Sequence, residues 1–167
     1  MDMKRNIIML LMACVAAYIG AEGAMAQEAS DATTPIEKLI VRYSDVKGAR
    51  DFIAVGGKMA VARSLIRATP MAAIAADVDE LAVLKMGNVS EGERKQFESD
   101  LHDALKGYRY HGREQSKNGL VDVYLLMASE NLVSELVIYN PETYSLNSLR
   151  GPFPMSELLE IDEGYQQ

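Results

Sequence analysis

The chain has 167 residues, a formal charge of −7 and one cysteine, Cys14. Seventeen basic residues against 24 acidic ones exclude a sequence-independent nucleic-acid binder, which needs clustered Lys and Arg to displace the counterions of phosphates. The lone cysteine excludes an internal disulfide, a Cys-based zinc site and an iron–sulfur cluster, and 49% hydrophobic residues exclude wholesale disorder.

Lys4 and Arg5 precede an apolar stretch from Ile7 to Ile19 and the small-residue pattern Ala24-Met25-Ala26. These are the three parts of a secretory signal, with cleavage expected between Ala26 and Gln27. The apolar run is shorter than the ~20 residues that span a bilayer, so no transmembrane segment is expected after its removal. Leu11-Met12-Ala13-Cys14 offers an alternative, a lipoprotein cleavage box that leaves Cys14 acylated and the protein anchored. Against it, Val15 to Gly20 is still apolar and makes a poor exposed tether, so simple cleavage is the expectation. The two basic and two acidic residues of the segment cancel, and the remaining 141 residues keep the charge of −7. Residues 27–33 are small and polar and read as a flexible leader. Residues 34–167 then form one domain, long enough to bury roughly two-thirds of its chain surface.

Thr34-Pro35-Ile36-Glu37 combines a capping Thr, Pro at the first helical position and Glu at the third. Ile36, Leu39, Ile40 and Tyr43 follow at helical spacing, which predicts a helix over 35–47 stopped by Gly48. Phe52 to Val55 reads as a short strand before Gly56-Gly57. A second helix is expected over 58–68, with Met59, Ala62, Leu65 and Ile66 on one side, ended by Thr69-Pro70. Met71 to Ala76 carries weak signals, and Asp79 to Met86 reads as a strand closed by Gly87-Asn88. Ser90-Glu91-Gly92-Glu93 is a second capping box, opening a helix to Lys106.

Beyond Gly107 the pattern alternates with a period of two, and turn signals recur. Strands are expected over 108–115, 120–128, 132–139 and 144–150, joined through Asn118-Gly119, Ser129-Glu130-Asn131 and Asn140-Pro141-Glu142-Thr143. After Gly151-Pro152-Phe153-Pro154 a short helix is expected over 155–160. The fold class is therefore α+β. The expected assembly is a mixed, mainly antiparallel sheet, with a C-terminal four-strand meander and helices packed mainly on one face. Val121, Val123, Leu125 and Met127 form a fully apolar face suited to helix cover. The alternate set, Leu120, Asp122, Tyr124 and Leu126, is half polar. On the next strand Leu132, Leu136 and Ile138 oppose Val133, Glu135, Val137 and Tyr139. The mixed face is a candidate partner surface built from Asp122, Tyr124, Glu135 and Tyr139.

No arrangement of residues spells out a catalytic signature. Ser44-Asp45-Val46-Lys47 has the Ser-x-x-Lys spacing of penicillin-recognising enzymes but lacks their Ser-Asp-Asn and Lys-Thr-Gly elements. Gly56-Gly57-Lys58 lacks the Ser or Thr and the earlier Gly of a phosphate loop. His102 and His111 have no second ligand at metal spacing, and Asp77-Val78-Asp79-Glu80 lacks the Gly and the distal Glu of a calcium loop. No metal or other cofactor is expected. Tyr108, Tyr110, Tyr124, Tyr139 and Tyr144 fall on predicted strands, where aromatic residues are favoured and where they suit stacking on a sugar or a partner's side chain.

The segments IEKLIVRYSDVKGARDFIAVGGKMA, SEGERKQFESDLHDALKGYRY, LVDVYLLMASENLVSELVIYN and SLRGPFPMSELLEI together resemble the small exported bacterial proteins of domain-of-unknown-function family 4252. The resemblance spans residues 35 to 161 and implies a cell-envelope location. That family has no established activity, so no functional residue carries over. The function expected is non-enzymatic binding of an envelope protein or component in the periplasm, with a homodimer as a further possibility. The alternative is a small periplasmic hydrolase or carbohydrate-acting enzyme using carboxylates or His111.

Overall fold

Thr34 caps the first helix, α1 (Pro35–Ser44), as its spacing predicts: its Oγ1 accepts from the Glu37 amide at 3.2 Å and its own amide donates to Glu37 Oε2 at 3.1 Å. Ile36, Leu39, Ile40 and Tyr43 form its buried stripe. The computed structural model describes residues 34–67, 70–116 and 119–158. Residues 1–33, expected as a signal segment with Cys14 and a leader, Ala68 and Thr69 at the expected end of the second helix, Lys117 and Asn118 of the expected turn, and residues 159–167 with the end of the expected last helix lie outside the described residues.

Strand β1 (Arg50–Val55) runs through a 3-10 turn (Gly56–Lys58) into α2 (Met59–Arg67), and a 3-10 stretch (Pro70–Asp77) leads on to β2 (Glu80–Lys85). Helix α3 (Glu91–Ala104) starts at the Ser90 cap and ends in a 3-10 turn (Leu105–Gly107). The meander is β3 (Arg109–Ser116), β4 (Gly119–Ser129), β5 (Leu132–Asn140) and β6 (Ser145–Pro154), followed by a helical turn at residues 155–158. The strands pair in the order β1-β2-β6-β5-β4-β3.

The α+β class and the C-terminal meander are as expected. Two details of the assembly differ. Each pairing in the described sheet is antiparallel, including β1 with β2, where a mixed sheet was expected. Val55 and Glu80 are register partners, so α2 and the 3-10 stretch form an out-and-back excursion that returns the chain to the sheet end it left. Helices also cover both faces rather than mainly one. Leu81 and Val83 face a core closed by Met59, Ala62, Ile66, Ile74 and Ala75, whereas Ala82 and Leu84 face a second core closed by α1 and by Phe97 and Leu101 of α3. A strand whose residues are buried on both sides requires cover on both sides.

The apolar set Val121, Val123 and Leu125 lies in the α2 core as anticipated. Val133 joins Leu136 and Ile138 there, although alternation assigned it to the opposite face. Against β4, Glu135 and Val133 pair with the successive residues Leu126 and Met127, so Ser134 is an extra residue of β5 that inverts the alternation. Strand β6 continues through Gly151 to Pro154, four residues beyond the expected strand end at residue 150. Its pairing with β2 ends at Arg150, so Pro152 and Pro154 occur where that neighbour no longer asks for an amide donor. A Cβ at Gly151 would collide with the Asp77 carbonyl, which fixes glycine where the 3-10 stretch crosses β6.

Candidate functional site

At the β3 end of the sheet, on the α1/α3 side, a cleft of about 510 Å³ opens between strands and helix. Asp122 and Tyr124 of β4, Tyr139 of β5, and Tyr110 and Arg113 of β3 form its strand side. Glu98, Leu101 and His102 of α3, continued by Leu105 and Lys106, form the other wall.

Tyr110 and Arg113 share this face because of a β-bulge. Tyr110 pairs with Tyr124 and Arg113 with Asp122, and the register shift between Tyr110 and Gly112 absorbs His111. Without that extra residue, positions three apart would point to opposite faces. Arg113 closes a two-pronged bond on Asp122, Nε to Oδ1 at 2.7 Å and Nη2 to Oδ2 at 2.9 Å, and the Tyr110 hydroxyl donates to Oδ1 at 3.1 Å. The Arg113 bonds, more than the opposing burial, hold the Asp122 carboxyl below its ordinary range and so ionised. Tyr110 and Tyr124 rings lie 5.3 Å apart at 55°. Tyr110 is 54% exposed, the largest aromatic surface that the cleft offers to a ligand. The Tyr139 hydroxyl donates to Glu98 Oε1 at 3.3 Å, and burial, followed by the Glu98 charge, keeps it protonated.

Three of the four residues singled out in the sequence, Asp122, Tyr124 and Tyr139, therefore meet in one cleft. Tyr139 is buried against Phe97, with ring centroids 6.1 Å apart, and contributes floor rather than exposed surface. Glu135 is corrected: it is 0% exposed and so unavailable to a partner, because α1 covers this part of the face. His111 is exposed on the edge strand and is not among the cleft residues, whereas His102 is. Tyr110 and Arg113 are the residues that the alternation missed. Gly112 inside a strand pattern was their one visible sign, since an isolated strand glycine marks a bulge.

Under the first turn of α1 lies a second polar constellation. Glu135 accepts from Thr34 Oγ1 at 3.2 Å, from Ser148 Oγ at 2.5 Å and from the Tyr108 hydroxyl. Arg150 is the register partner of both Glu80 and Glu135, donates to Glu37, and has Glu80 Oε2 3.6 Å from its Nη1. Burial, then the charge of Glu37, raises the Glu80 carboxyl to about 7. Burial also raises Glu135, against the pull of its three hydroxyl donors.

The cleft can stack a planar or apolar ligand face on tyrosine and hydrogen-bond its rim through Arg113, with Asp122 held rigid behind. Among the described residues there is no group of three His, Cys, Asp or Glu able to hold a metal ion. No helix among them is long and apolar enough to cross a membrane. No protein family, no characterised protein and no solved structure matches this chain.

Proposed function

We propose that this chain is an exported bacterial cell-envelope protein acting as a non-enzymatic binding domain, and that the tyrosine-lined cleft receives its partner. The observation that carries the reading is the pairing of an exposed aromatic ring, Tyr110, with a pre-fixed Arg113–Asp122 fork in one concavity. Such a site gains affinity by burying the ring and loses little entropy, because its polar groups are already held. The tripartite segment ending at Ala26 supports the envelope location.

Capture from envelope extract with the intact protein, Tyr110→Ala and Tyr124→Ala tests the reading. The expected result is a specific partner lost roughly tenfold or more in both variants, with melting temperatures within a few degrees of the parent. Equal capture by all three would contradict it. In the same preparation, the mass of the amino terminus should correspond to cleavage after Ala26, and palmitate labelling would instead assign Cys14 as an anchor.

A further inference from the structure

Three buried carboxylates meet one guanidinium beneath α1. Glu37 is 3% exposed, Glu80 7% and Glu135 0%; Glu37 of α1 and Glu80 of β2 pair with Arg150 of β6, and Glu135 of β5 is its register partner, close enough for its charge to act on it. Among the described residues, the further titratable group facing them is Tyr108, just ahead of β3, whose hydroxyl is spent as a donor to Glu135. One positive charge cannot balance three negative ones away from water, so the cluster must retain a proton or expel a carboxylate. Glu135 is already served by three hydroxyl donors, which leaves Glu37 and Glu80 as the pair that shares it.

We propose that this cluster is a one-proton latch: the proton held between Glu37 and Glu80 keeps the first turn of α1 on the sheet, and its departure loosens that turn. The coupling is geometric. Thr34 Oγ1 accepts from the Glu37 amide and donates to Glu135, while the Glu37 carboxylate accepts both from the Thr34 amide and from Arg150. Pushing Glu37 away from an ionised Glu80 therefore breaks the helix cap and the tie to the sheet together. The direction follows from linkage. Glu80 moves from its ordinary 4.5 to about 7 in the fold, so its stabilising contribution is whole below 4.5 and is lost as pH rises through 7.

Hydrogen exchange on the intact chain at about pH 5 and about pH 8, corrected for the intrinsic pH dependence of exchange, reads the latch directly. The α1 amides should lose on the order of tenfold in protection at the higher pH, with α3 and β5 changing much less. Glu80→Gln, which keeps the shape without the titration, should flatten the α1 response, and Glu37→Gln should do the same. Asp100→Asn, which alters the outer contact of α3 with Arg42 and Tyr43 of α1 and the bond from Gln96 but none in the cluster, should leave it intact. Unchanged α1 protection in the parent, a parental response in either Gln variant, or an equal change across the whole domain would overturn the proposal.

Discussion

Glu135 and Asp122 lie on neighbouring strands and show how position alone assigns a carboxylate its role. Asp122 sits where helix cover gives out, and its bonds to Arg113 and Tyr110 fix two groups that face the cleft. Glu135 sits under α1 and gathers Thr34, Tyr108 and Ser148 into a closed network. Glu135→Ala would leave those three hydroxyls without their acceptor, at a cost of about 3 kcal/mol in urea unfolding at neutral pH. Glu135→Gln, which keeps an acceptor oxygen and the volume, should cost less than half as much. Equal losses would mean that packing, not the polar network, holds this site. Both residues look alike in the sequence, polar positions in otherwise apolar strands. What separates them is the helix above, which the strand pattern does not contain.

Helix α1 makes the same point for an element. Its cap, its stripe and its start were legible, because Thr34, Pro35 and Glu37 interact locally and the 3.6-residue period reports a buried face. Where that face docks was not legible, since the capping residues carry second, long-range partners. Thr34 and Ser90 therefore provide a matched test. Ser90 binds only the Glu93 amide and side chain, in an exposed turn, so Ser90→Ala should cost about 1 kcal/mol. Thr34→Ala removes the cap and the bond to Glu135, and should cost about 2 kcal/mol. Chemical denaturation giving the same loss for both would argue that the Thr34 contact to β5 contributes nothing. The strands of the meander were read to within a few residues, because Asn-Gly and Asn-Pro signals punctuate its sequence. Its bulges were not, and those at Tyr110–Gly112 and Val133–Glu135 decided which side chains share a face. A single inserted residue changes the face of every residue beyond it while leaving composition and alternation almost untouched.

At the scale of the molecule, the antiparallel sheet divides the fold into two apolar cores, one under α2 and its 3-10 extension and one under α1 and α3. The two surfaces differ in what they leave open. Among the described residues, the large apolar side chain exposed on the α2 side is Val61, 48% exposed on the helix itself. On the α1/α3 side the cover stops short of β3, and the gap is the cleft with Tyr110 at its mouth. A binding domain with this plan should engage its partner from one side only. Photo-crosslinking in intact cells, with p-benzoylphenylalanine placed by Tyr110→p-benzoylphenylalanine or by Val61→p-benzoylphenylalanine, measures this most directly. The account predicts a discrete envelope adduct from position 110 and none from position 61; adducts from position 61 alone, or the same adducts from both, would contradict it.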